Sequence, residues 1–115
     1  MTVTVDDALV ARLPIAVDGA GLRAWCARWQ VTRLALFGSV LRADFGPESD
    51  VDVLVWFTPE ARVRLGQLVA MEAELAELLQ RKADLVEGRG VERSANPLRR
   101  AAILESAKVI YAAGV

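Results

Sequence analysis

Val31-Thr32-Arg33-Leu34-Ala35-Leu36-Phe37-Gly38-Ser39, followed after a loop by Ser49-Asp50-Val51-Asp52-Val53-Leu54-Val55, decides how this chain folds. Residues 31–37 read as an apolar strand, and Gly38-Ser39 as the turn that ends it. The next strand covers residues 50–57, with Val51, Val53 and Val55 on one face and Asp50, Asp52, Leu54 and Trp56 on the other. Side chains two residues apart in a strand project to the same side, so Asp50 and Asp52 point together. Two carboxylates on one side, facing a turn with free backbone N–H groups, could hold a divalent metal against a bound triphosphate. That arrangement implies phosphoryl or nucleotidyl chemistry.

Upstream, residues 6–13 form a short expected helix stopped by Pro14. Asp18 can cap a second helix over residues 20–30, whose Leu22, Trp25, Cys26 and Trp29 follow the helical apolar spacing. Downstream, Thr58-Pro59-Glu60 has the composition of a helix start. That helix is expected to run to residue 80 or 81 on a stripe of Leu65, Leu68, Met71, Leu75 and Leu78. Residues 83–86 predict a third strand ended by Gly88 and Gly90, and Asn96-Pro97 opens a last helix to about residue 107. Val109-Ile110-Tyr111 is either the frayed end of that helix or a fourth, edge strand. The expected fold is α/β (α+β): a single domain over residues 1–115, with N-terminal helices through residue 30 and the core from residue 31. Its small mixed sheet would have roughly three to four strands, with helices on one face and the other face open for chemistry.

The length of 115 residues suits one domain, and 54% apolar with 25% charged residues is a globular composition. Net charge is −1, which gives no support to a broad nucleic-acid footprint, so no direct nucleic-acid binding is expected. Positive charge is uneven: Arg81, Lys82, Arg89, Arg93, Arg99, Arg100 and Lys108 crowd the last third, as a solvated face or a patch that contacts a partner or phosphate. Cys26 is the single cysteine, so no internal disulfide exists, and its apolar surroundings predict a buried thiol in a reducing cytoplasm. With no histidine in the chain, serine–histidine and cysteine–histidine hydrolases and histidine-ligated zinc are excluded. No apolar run is long enough to span a membrane, and the acidic start is not that of a secretory signal.

Gly38 permits a backbone shape closed to other residues and a close phosphate approach. Ser39 would aim its hydroxyl and neighbouring N–H groups at an anion. Arg42 lies three residues on, on the same side of the turn, able to reach a phosphate or brace a carboxylate. Asp52, bracketed by valines, is costly unless paired or metal-bound. Asp84 is the third carboxylate in a short apolar strand; it completes a site for two metal ions roughly 3.5–4 Å apart, or pairs with Lys82 or Arg81. A calcium loop is disfavoured, because Leu54 and Val55 stand where further oxygen ligands are required, and no Walker-type Gly-Lys-Ser/Thr occurs.

Together, Leu36-Phe37-Gly38-Ser39-Val40-Leu41-Arg42, Ser49-Asp50-Val51-Asp52-Val53-Leu54-Val55 and Lys82-Ala83-Asp84-Leu85-Val86 resemble the minimal nucleotidyltransferase family of the DNA polymerase β-like superfamily. Residues 98–111 are similar to that family's closing helix and the apolar segment after it. Leu41-Arg42-Ala43 departs from the family's frequent Ala-Arg-Gly, Gly46 comes late, and Trp56 stands where an acid is common. The resemblance implies a nucleotidyltransferase-like mixed sheet, a Gly38-Ser39 grip on the triphosphate, and Mg2+, two ions, on Asp50, Asp52 and Asp84. It implies transfer of AMP from ATP to a hydroxyl, with Asp84 assisting its deprotonation and Arg42 neutralising charge. It also implies a cognate HEPN-type toxin as partner, modified on a tyrosine, in a cytoplasmic toxin–antitoxin pair that could be a homo- or hetero-oligomer. The alternatives are an antitoxin that acts by occlusion alone, through the stripe around Met71 and Leu75 and the basic last third, and a small-molecule transferase of the aminoglycoside-modifying kind.

Overall fold

The computed structural model describes residues 3–113; the outermost two residues at each end of the expected 1–115 domain lie outside the described part. The elements are β1 (Val3–Val5), α1 (Asp7–Ala11), α2 (Gly19–Arg28), β2 (Val31–Phe37), a 3-10 turn (Gly38–Leu41), β3 (Val51–Phe57), α3 (Leu65–Leu79), β4 (Ala83–Glu87), α4 (Gly88–Glu92), α5 (Pro97–Ser106) and β5 (Lys108–Ala113). The strands form one open sheet of order β1-β5-β2-β3-β4. Only the β3–β4 pair is parallel; the others are antiparallel. The α/β fold class is as expected, but the sheet has five strands rather than three or four.

Val109-Ile110-Tyr111 belongs neither to a frayed helix nor to an edge: β5 lies between β1 and β2. Ile110 and Tyr111 are buried in consequence. The strand β1 was not expected, because its few residues carry no turn signal, and it exists by pairing with β5.

Alternation within the strands divides the core. Leu34 and Leu36 of β2 and Val51, Val53 and Val55 of β3 face a large cluster with Leu22, Trp25 and Cys26 of α2 and Met71, Leu75 and Leu79 of α3. The spacing of the α3 residues, four apart, lays one stripe on the sheet. Trp25 fixes the two helices by donating its indole N–H to the Met71 carbonyl at 3.2 Å. Met71 and Leu75 are therefore core, which removes them as a docking stripe; the exposed apolar residues of α3 are Leu65 and Val69. Ala35, Leu54 and Trp56 face the other side, where Val91 of α4 and Ile103 and Leu104 of α5 pack on them. That second face is thus partly covered rather than open.

Helix α3 starts at Leu65, not at Thr58. Val63 packs on the large cluster and draws residues 58–64 away from a helical path. The Gln67 side chain, which accepts from the Arg64 N–H at 2.9 Å, marks the real start. β4 ends before Gly88 as expected, and a short helix not expected from the sequence, α4, follows it directly. Gly88 is required there because a methyl at its Cα would run into the Trp56 indole. Asn96 caps α5 as expected, accepting from the N–H groups of Leu98 and Arg99 at 3.1 Å each.

Candidate active site

Topology alone gathers the predicted residues. Gly38 follows the C-terminal end of β2, and β3 runs antiparallel beside it, so the start of β3 lies at the same end of the sheet. β4 runs parallel to β3, so its start lies there too. Register then sets the detail: Phe37 is opposite Asp52, and Asp52 is opposite Asp84. Paired positions present their side chains to the same face, so the Asp52 and Asp84 carboxylates stand side by side.

Gly38 adopts φ +77°, a conformation that side chains other than hydrogen resist. A Cβ there would also collide with Asp52 Oδ2, so the turn backbone lies directly against that carboxylate. Val40, buried in the large cluster, anchors the turn, and the Arg42 N–H closes it on the Ser39 carbonyl at 2.9 Å. Ser39 is half-buried beside the glycine.

The Asp52 carboxyl is pushed above the usual carboxylate range, first by partial burial, then by the charges of Asp84 and Asp50; Arg42 pulls it the other way. Asp84, Asp50 and Arg42 are therefore each within electrostatic reach of Asp52. Arg42 itself donates through Nε to Asp44 Oδ1 at 3.1 Å in an exposed pair. Asp50 lies 3.9 Å from Lys82 Nζ, with 44% and 82% of the two side chains exposed. So long and open a pair is easily exchanged for another partner.

Asp84 makes no ion pair among the described residues. The alternative of a bridge to Lys82 or Arg81 is absent, because those cations are engaged elsewhere. Arg81 donates to the carbonyls of Gly46 and Ser49, at 2.5 and 2.7 Å, and stacks on Phe45 at 4.4 Å. It thereby holds the loop that delivers Asp50, a part that sequence reading left as a generic cation.

Among the described residues, no three acidic, thiol or imidazole side chains are already gathered as a metal cage. The donor chemistry nevertheless fits a hard divalent cation: all candidate ligands are carboxylates, and one is disfavoured as an anion by its neighbours. A cation between Asp52 and Asp84 would relieve that repulsion, with Asp50 free to join on leaving Lys82.

The nucleotidyltransferase domain family matches residues 21–110. A structure described as that of a minimal nucleotidyltransferase is 32% identical over 77% of this chain and 84% of its own, with a TM-score of 0.59. Two more distant structures share the fold. A toxin–antitoxin complex with AMP-PNP has 18% identity over 84% of this chain and 75% of the other, with a TM-score of 0.64. The tri-AMPylated Shewanella oneidensis HEPN toxin in complex with its MNT antitoxin has 20% identity, coverage of 82% and 66%, and a TM-score of 0.53. No curated protein sequence matches. With its glycine turn set against paired aspartates at one end of a mixed sheet, and a match spanning most of its length, the chain belongs to the minimal nucleotidyltransferases of the nucleotidyltransferase domain family.

Proposed function

We propose that this protein transfers AMP from ATP to a protein hydroxyl, a tyrosine of a cognate HEPN-type toxin, and is the antitoxin of that pair. The observation that carries the reading is the Asp52–Asp84 pair set against the Gly38 turn. Complexes of the similar chains supply the partner class: one holds AMP-PNP, and another contains an AMPylated HEPN toxin.

The chain's residues divide the work. Backbone N–H groups at Gly38 and Ser39 bind the β- and γ-phosphates, which the absence of a side chain at Gly38 lets come close. Magnesium, held when bound by Asp50, Asp52 and Asp84, supplies positive charge that offsets the triphosphate and favours ionisation of the acceptor hydroxyl. Asp84, exposed and free of an ion pair, is placed to accept the acceptor proton. The hydroxyl oxygen then bonds to the α-phosphorus as the bond from that phosphorus to the bridging oxygen breaks, and pyrophosphate leaves. Arg42, on release from Asp44, offsets charge on the leaving group.

The experiment is label transfer from α-labelled ATP to the neighbouring toxin in the presence of magnesium. Asp52→Asn and Asp84→Asn are each expected to lower transfer by about 100-fold or more, the scale of a lost electrostatic stabiliser. Full transfer by either variant would overturn the assignment. A second reading, neutralisation by occlusion without transfer, draws on the three carboxylates not being pre-gathered. It predicts no label on the toxin and undiminished neutralisation by Asp52→Asn.

A further inference from the structure

The end of the sheet away from the carboxylates carries a concavity. A cavity of about 400 Å³ is lined by Phe57 and Thr58 at the end of β3, Arg62 in the segment that follows, Glu87 at the end of β4, and Arg89 and Arg93 of α4 and its C-terminal cap. A second cavity of about 370 Å³ shares Phe57 and Arg89 and adds Arg33. Phe57 lies about 17 Å from Asp52 along β3, at ~3.3 Å per residue, so this place is distinct from the carboxylate site.

Its charge is unbalanced. Arg62, Arg89 and Arg93 make no ion pair among the described residues. Arg62 Nη1 touches only the carbonyls of Pro59 and Ala61, at 3.3 Å each. Glu87 is the single acid in the lining. Glu92 of α4 is occupied, accepting from the Trp56 indole N–H at 3.0 Å. The hydroxyl oxygen of Thr58, part of the same wall, is buried with no hydrogen-bond partner. In a chain of net charge −1, arginines from two separate segments line one hollow. Like charges held together in a concave site repel, and an anion between them removes that cost.

We propose that this cavity binds the phosphate group of a small phosphorylated ligand. Three guanidinium groups against one carboxylate leave an excess that matches a multiply charged phosphate better than a single carboxylate, and the guanidinium fork suits phosphate oxygens. The volume falls in the range of small-molecule sites, roughly 300–1,000 Å³. A single-stranded nucleic acid fits less well, because it needs open aromatic faces. The Trp56 indole is closed to stacking: Arg33 covers it at 4.0 Å, and its edge is bonded to Glu92.

The test is a titration of the full 15N-labelled chain with inorganic pyrophosphate in EDTA, following the Trp56 indole N–H and the arginine Nε–H signals. A saturable shift of these signals is expected, with Asp52→Asn binding as wild type. Paired Arg89→Gln and Arg93→Gln changes, and separately Arg62→Gln, are expected to weaken binding at least about tenfold. Their melting temperature is expected to stay near that of wild type, since none of the three is in an ion pair. The proposal is overturned if the shift does not saturate, if it is lost in Asp52→Asn but kept in the arginine variants, or if an oligonucleotide or an acidic peptide binds the same residues more tightly. Because the readout uses neither metal nor nucleotidyl transfer, its failure is distinguishable from failure of the proposed reaction.

Discussion

Gly38 is the residue on which the proposed chemistry turns, because it meets two demands at once. Its positive φ excludes an ordinary side chain, and the space beyond its Cα is already filled by Asp52 Oδ2. Gly38→Ala is expected to cost roughly 1–2 kcal/mol from backbone conformation alone, read as a lowered melting temperature. Label transfer should fall further than this loss of stability explains, since the methyl also displaces the carboxylate. Cys26 makes the opposite point about reactivity. It is fully buried, and that burial pushes its thiol up to about 12. Native protein at pH 8 is expected to resist thiol-reactive dyes that label it on unfolding. The folded state keeps the thiol protonated where the unfolded chain does not, so Cys26 contributes stability that is complete below pH 9.0 and lost as pH rises toward 12. Rapid labelling of the native chain at pH 8 would contradict this.

At the scale of elements, local signals and long-range packing separate cleanly. The span of β2 was legible to the residue, since a turn glycine and an apolar run both mark it. The caps at Asp18 and Asn96 were legible for the same reason: a side chain that bonds its own neighbours leaves its mark in adjacent letters. The start of α3 was not, because a Thr-Pro-Glu signature competes with the packing of the half-buried Val63 against the core, a contact made far along the chain. Helix α4 was hidden behind two glycines. One of them is there for the Trp56 ring on the neighbouring strand, not to end the strand that precedes it. Arg81 is the clearest case of a role invisible in sequence, since its acceptors lie in the loop of residues 44–49. Arg81→Ala is expected to lower stability by about 1.5–3 kcal/mol, the range for hydrogen bonds to a charged group. It should also raise the magnesium concentration needed for half-maximal transfer, because the loop that delivers Asp50 loosens. Unchanged stability and unchanged magnesium demand would refute that role.

For the whole molecule, the placing of Asp52 and Asp84 at one end of the sheet could be anticipated from short motifs, whereas strand order could not. Asp52 and Asp84 stand opposite each other because β3 and β4 run parallel in one register, and α3, the crossover that joins them, packs on the face of the sheet. Likewise β5, the last strand in sequence, sits inside the sheet because β1 pairs with its outer side. Removal of residues 107–115 is therefore expected to abolish cooperative unfolding rather than trim an edge, a result that circular dichroism on heating would read directly. A truncated chain with an intact sharp transition would show β5 to be dispensable.

The pairing of Val3 with Ala113 has a mechanical corollary. Tension applied between those residues would load the β1–β5 ladder one rung at a time, the geometry of a zip fastener. The fold would thus open from that edge at low force, and the strands bearing Asp52 and Asp84, at the far side, would be the last to feel the pull.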